Sequence, residues 1–199
     1  MTRSLPCLLL AALFALPGDD AITLDFAKEK LPDGWTLSSK EWKVAGGELV
    51  GLGDGKLCFA GPVVGDFTLT FSSLFAEKTS LEIKLYDAVK GDELYTFGFG
   101  GRYHSVLDGV KSCILRKDYF VKVDPKMWIF PGRKFTFEVR VVKGQFQMFL
   151  DGELGPLFID PQPLIPETGV KLEIIASTEG SKDKVTIDDV KLVPAAKKK

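Results

Sequence analysis

Histidine is almost missing from this chain: His104 is the only one in 199 residues. That scarcity excludes histidine-rich zinc sites and leaves a serine or cysteine triad a single candidate base, with no nucleophile-elbow pattern to accompany it. Charge of one sign is also missing. The 26 Lys+Arg balance 27 Asp+Glu for a net charge of −1, which argues against the basic excess of a nucleic-acid binder. Cysteine and methionine are scarce, at three each. No apolar run after the first residues reaches the roughly 18 needed to cross a bilayer as a helix, so no transmembrane segment is expected in the mature chain. A helix of three turns with recognisable caps is absent as well. Short helical turns are expected only near Ala27–Lys30 and Val106–Lys111.

What is present begins with a leader. Arg3 precedes the apolar run Leu5–Leu16, and small residues follow at Ala15 and Gly18. Residues 1–18 read as a signal peptide cleaved between 15 and 21, leaving roughly 180 residues, one domain's worth. Export to the secreted, periplasmic or cell-envelope space is the expected localisation. In that oxidising setting Cys58 and Cys113 could pair as a disulfide or stay as buried thiols. Residues 22–194 form the expected single domain, and 195–199 a basic, solvated tail.

Phenylalanine is abundant, at 15 copies, beside 20 glycines. The dominant pattern is alternation with period two. Phe67, Leu69 and Phe71 share one side of a segment, as do Leu81, Ile83 and Leu85, then Tyr95, Phe97 and Phe99. Phe135 to Val141, Phe146 to Leu150 and Val170 to Ile174 repeat it. Lys143-Gly144 links two such runs as a hairpin, Asp151-Gly152 ends the second, and Pro161, Pro163 and Pro166 mark a long extended connection. About a dozen strands, each with one apolar face, need two sheets to bury those faces. The predicted fold is all-β: an antiparallel two-sheet jelly-roll β-sandwich.

Three stretches carry a family resemblance: LPDGW (Leu31–Trp35) with EWKVAGGELVGLG (Glu41–Gly53), GDFTLTF (Gly65–Phe71) and FTFEVRVVKGQFQMFLDGE (Phe135–Glu153). They resemble the concanavalin A-like lectin/glucanase sandwich, and among its members the 3-keto-disaccharide hydrolase-type domains. The resemblance implies an exported protein that binds or acts on saccharides. The chain departs from it in that the tryptophan before the late hairpin is replaced by Phe135 or by the displaced Trp128, and it lacks the E-x-D-x-x-E strand of the glucanase branch. The expected function is therefore carbohydrate binding without catalysis. The alternatives are a glycoside hydrolase of the 3-keto-disaccharide type and a structural or protein-interaction domain of the cell envelope.

A second, local resemblance concerns VTIDDVKLV (Val185–Val193), similar to the closing strand of carbohydrate-binding modules that hold a structural calcium. It implies Asp188 as a ligand, with Asp25 of ITLDF (Ile22–Phe26) joining if first and last strands pair; carboxylates that hydrogen-bond backbone or lysine are the alternative. Val185 and Ile187 share one parity, Val190 and Leu192 the other, so a bulge is expected between Ile187 and Val190.

The candidate saccharide surface follows from Thr96, Gly98 and Gly100. Their side chains are small or absent and share one face, so another backbone, a loop or a ligand must approach it. Arg102, Tyr103 and His104 follow that strand, and Tyr86 and Trp128 could join them, since sugar sites use aromatic faces and planar polar groups. A solvent-exposed glycine turn, or cover by Ile159–Pro166, are the competing accounts. Trp35 and Trp42 read as core, and the charges of Glu82–Lys84 and Lys171–Glu173 as solvated cross-strand pairs.

Overall fold

The computed structural model describes residues 21–28, 30–74, 79–100, 112–124, 127, 129, 132–178 and 184–195. Fifteen strands occupy them: β1 (Ile22–Thr23), β2 (Trp35–Leu37), β3 (Trp42–Ala45), β4 (Glu48–Leu52), β5 (Gly55–Val63), β6 (Phe67–Leu74), β7 (Thr79–Asp87) and β8 (Glu93–Gly100), then β9 (Ser112–Arg116), β10 (Tyr119–Asp124), β11 (Lys134–Val142), β12 (Gln145–Leu150), β13 (Glu153–Ile159), β14 (Val170–Thr178) and β15 (Lys184–Pro194). Helix among the described residues amounts to one 3-10 turn, Phe26–Lys28. An eight-stranded antiparallel sheet runs β13-β12-β11-β6-β15-β4-β3, with β1 paired to β15. A seven-stranded antiparallel sheet runs β10-β9-β8-β7-β14-β5-β2. The two-sheet sandwich is the architecture that the alternation predicts.

The apolar face of each alternating run turns inward. Phe67, Leu69 and Phe71 are buried against the other sheet, as are Leu81, Ile83 and Leu85, and Tyr95, Phe97 and Phe99. The phenylalanines close the space between the layers: Phe137 of β11 stacks on Phe71 at 5.2 Å and meets Phe99 of the opposite sheet edge-on at 4.9 Å. Trp35 and Trp42 are core residues, at 5% and 3% exposure. The Trp42 indole lies over Gly51 and Gly55, where a Cβ would stand 2.2 Å from the ring, so only glycine fits beneath it.

Turn chemistry sets the hairpin registers. Lys143 and Gly144 both have positive φ (48° and 76°), the mirror-image turn whose twist matches its flanking strands. Asp151 and Gly152 repeat it between β12 and β13. The parity change predicted in β15 is present: the register with β6 shifts between Asp188 and Lys191, and Asp189 has φ 52°. At the same point β15 exchanges partners. Lys184–Ile187 pair with β4, whereas Lys191 and Leu192 pair with β1.

The proline-bearing segment after β13 does not lie over Thr96, Gly98 and Gly100; it closes one end of the space between the sheets. Asp160 Oδ2 accepts a hydrogen bond from the Tyr95 hydroxyl at 2.6 Å and from Arg116 Nε at 2.7 Å, while Leu164 N–H donates to the Tyr95 oxygen at 2.9 Å. Tyr95 points into the core, where it stacks on Phe146 at 4.0 Å. The anchor for this segment therefore belongs to the inner face of β8. Thr96, on the opposite parity, faces away from it.

Candidate functional site

Because side chains alternate, each strand of the seven-stranded sheet that buries an apolar row also presents a second row outward. Register aligns these rows. Lys84 stands opposite Thr96 of β8 and Glu173 of β14, and Glu82 stands opposite Gly98 and Ile175. Tyr86 stands opposite Glu93 and Lys171, and Glu173 in turn opposite Cys58 of β5. Sequence reasoning places Tyr86 on the face of Thr96, Gly98 and Gly100, and the structure puts it there.

The face changes character across the sheet. Over β5 and β14 it is open: the Lys56 side chain is 43% exposed and Glu173 19%, and Lys171 is exposed. Over β8 and β9 it is closed: Thr96 and Cys113 are buried at 1% and 0%. β7 forms the border, with Tyr86 half-buried, Lys84 20% exposed and the Glu82 side chain only 3% exposed. The reading of Glu82 and Lys84 as a solvated pair is therefore corrected. Glu82 sits beside a glycine strand and has little access to water.

Charges on this border are tightly paired. Lys84 Nζ contacts Glu93 Oε2 at 2.7 Å and Glu82 Oε2 at 3.6 Å, and Thr96 Oγ1 donates to Glu93 Oε1 at 2.6 Å. Lys56 Nζ donates to Glu173 Oε2 at 3.2 Å, and the Cys58 thiol points to Glu173 Oε1 at 3.7 Å. Burial, then the carboxylates of Glu173, Glu93 and Glu82, push the Tyr86 phenol above the ordinary tyrosine range. Tyr86 stays a neutral hydroxyl donor at any physiological pH. The surface thus combines a half-buried aromatic ring, carboxylate acceptors and ammonium donors. That combination suits a ligand with apolar C–H patches and many hydroxyls.

Arg102, Tyr103, His104 and Trp128 lie outside the described residues. Glu82, Lys84, Glu93 and Glu173 were missed as site residues in the sequence. Their parity was legible, but the neighbourhood of β7 and β14 was not, since about half the length of the domain separates them in sequence.

This geometry bears on two alternatives that the sequence leaves open, the Cys58–Cys113 pair and the partners of Asp25 and Asp188. Cys58 and Cys113 are not bonded to each other. Four inter-strand steps separate β5 from β9, roughly 19 Å at the usual strand spacing, whereas a disulfide needs Cα atoms about 4.4–6.8 Å apart. Asp25 and Asp188 take the other alternative, hydrogen bonds to lysine and to backbone. Asp188 Oδ2 accepts from Lys134 Nζ at 3.0 Å, the same ammonium bonds Glu48 Oε1 at 3.0 Å, and Asp188 Oδ1 accepts from Asp189 N–H. Asp25 Oδ1 accepts from Ala27 N–H in the 3-10 turn. β1 and β15 do pair, but their register brings Asp25 toward Asp189 rather than Asp188. Among the described residues no cluster of three or more His, Cys, Asp or Glu side chains could hold a metal ion, and no helix is long and apolar enough to cross a membrane.

No protein-family model matches the chain, and no curated protein matches it significantly in sequence. Solved structures do match in shape. The potassium-bound carbohydrate recognition domain of Emp46p superposes with a TM-score of 0.64 at 14% identity, covering 81% of this chain and 88% of that one. A chain from a study of endo-acting O-glycanases of the human gut microbiota that initiate mucin breakdown gives 0.65 at 11%, covering 87% and 98%. The carbohydrate-binding module CBM66 from Bacillus subtilis gives 0.54 at 14%, covering 79% and 93%. At these identities the likeness is one of fold alone: this chain shares the two-sheet antiparallel β-sandwich of those carbohydrate recognition domains and modules.

Proposed function

We propose that this chain is an exported sandwich that binds carbohydrate on the outer face of its seven-stranded sheet, without catalysing a reaction. The observation that carries the reading is the border along β7, where half-buried Tyr86 stands among Glu82, Lys84, Glu93 and Glu173 on a face that is open over β14 and β5. The ring offers an apolar platform for a pyranose, and the paired charges offer acceptors and donors for its hydroxyls. The sugar-binding modules that share the fold support the same reading. Arg102, Tyr103, His104 and Trp128 remain candidate contacts on sequence grounds. Screening the full chain on a glycan array, then measuring Tyr86→Ala against the best glycan, tests it. Loss of the ring is expected to weaken binding by on the order of 1–3 kcal/mol while leaving the melting temperature nearly unchanged. A protein that binds no glycan would instead support a structural or protein-interaction role.

One observation favours a second reading, a glycoside hydrolase of the 3-keto-disaccharide type: three carboxylates, Glu82, Glu93 and Glu173, share the outer face around Lys84. Carboxylate pairs are the usual catalysts of glycoside cleavage. Incubation with native and 3-keto disaccharides, followed by product analysis, separates the readings. Product release that disappears in Glu82→Gln would establish the hydrolase.

A further inference from the structure

We infer that the saccharides bound at this surface are uncharged, and that Lys84, held between two carboxylates, sets that preference. The inference rests on the proposed carbohydrate-binding role of the β7 border. Lys84 places one ammonium 2.7 Å from Glu93 and 3.6 Å from Glu82. On its other side stands Glu173, directly opposite on β14, which already holds Lys56 at 3.2 Å. Each ammonium in the middle of this face is therefore occupied by a protein carboxylate. The exposed Lys171, opposite Tyr86, is the remaining described cation there.

A ligand hydroxyl can join such a network at no cost in charge. It donates to a carboxylate oxygen that has a lone pair to spare and accepts from an ammonium that has a third N–H. A ligand carboxylate, sulfate or phosphate cannot. Away from exposed Lys171 at the edge of the surface, it must either displace Glu82 or Glu93 from Lys84 or lie beside them uncompensated, in a region where Glu82 is nearly out of water and like charges repel strongly. The same logic makes the selectivity reversible. Removing the charge of Glu93 leaves Lys84 with its longer contact to Glu82 and frees it to pair with an acidic sugar.

The test uses the full chain and matched probes: neutral oligosaccharides and the same oligosaccharides carrying a sialic acid, a uronic acid or a sulfate ester, with affinities from calorimetry. The neutral member of a bound pair is expected to bind at least tenfold more tightly than its acidic counterpart. Glu93→Gln is expected to narrow that gap severalfold, and Tyr86→Ala to weaken both members. If Glu93→Gln does not fold, judged by its melting curve, Glu173→Gln frees Lys56 and serves the same purpose. An acidic member that binds as tightly as the neutral one overturns the inference while leaving carbohydrate binding intact. So does a gap that a folded Glu93→Gln or Glu173→Gln leaves unchanged. Failure of every probe to bind overturns the carbohydrate reading and this inference with it.

Discussion

At the residue scale, Asp160 links chain chemistry to stability most directly. Its carboxylate, 4% exposed, receives three donors: the Tyr95 hydroxyl, Arg116 Nε and its own segment's Gln162 N–H at 2.9 Å. Burial alone would raise its pKa, but the hydrogen bonds from Tyr95, Gln162 and Arg116 outweigh burial and hold it below the ordinary value. A depressed folded-state pKa contributes stability that is full above the ordinary carboxylate range and is lost as pH falls through the folded value. Asp160→Asn should therefore cost about 2 kcal/mol near neutral pH, Arg116 being partly solvated, and the gap to the parent chain should shrink on acidification below about pH 4. Denaturant melts of both proteins across pH 3 to 8 check this. A gap that is constant with pH would show that the carboxylate's charge contributes nothing.

At the element scale, the bulge in β15 is the feature whose cause is clearest. The sequence places apolar side chains on both parities within one strand, and only an extra residue lets both sets face the core. Asp189 takes the left-handed conformation there, and its carboxylate accepts a hydrogen bond from Ser72 Oγ at 3.0 Å. A β-branched residue tolerates positive φ poorly, so Asp189→Val should lose roughly 1–2 kcal/mol or more, and Asp189→Gly clearly less. Thermal melting of the two variants decides. Strand order makes a second prediction. With four strand spacings between them, Cys58 and Cys113 should not pair with each other, so a reductant should leave the melting temperature unchanged. Burial pushes the Cys113 thiol up to about 12. A thiol reagent at neutral pH should label Cys58, partly exposed on β5, well before Cys113, which reacts only on unfolding. Mass mapping after timed labelling reads this out.

At the scale of the whole molecule, the first described strand starts at Ile22, beyond the proposed leader. Export should yield a protein cleaved before Asp25 that folds without residues 1–18, and intact mass of the exported chain checks that. Much of the fold was legible beforehand. The rows Phe67–Phe71, Leu81–Leu85 and Tyr95–Phe99 are buried as their alternation demands, because a strand's side-chain period follows from backbone geometry alone. The Lys143-Gly144 turn and the β15 bulge were legible for the same local reason. The candidate site was legible only in part. Tyr86 was placed correctly on the face of Thr96, since β7 and β8 are sequence neighbours and pair as such.

Local chemistry thus determined which residues form strands, which face of each is apolar, where the chain turns, and that two sheets must pack face to face. The order of strands was decided only in three dimensions. β14 inserts between β7 and β5, bringing Glu173 opposite Lys84 and keeping Cys58 away from Cys113. Pairing between strands distant in sequence depends on how two whole sheets fill one core, a balance of packing that no local window of residues contains. The network around Lys84 and the separation of Cys58 from Cys113 are consequences of that order.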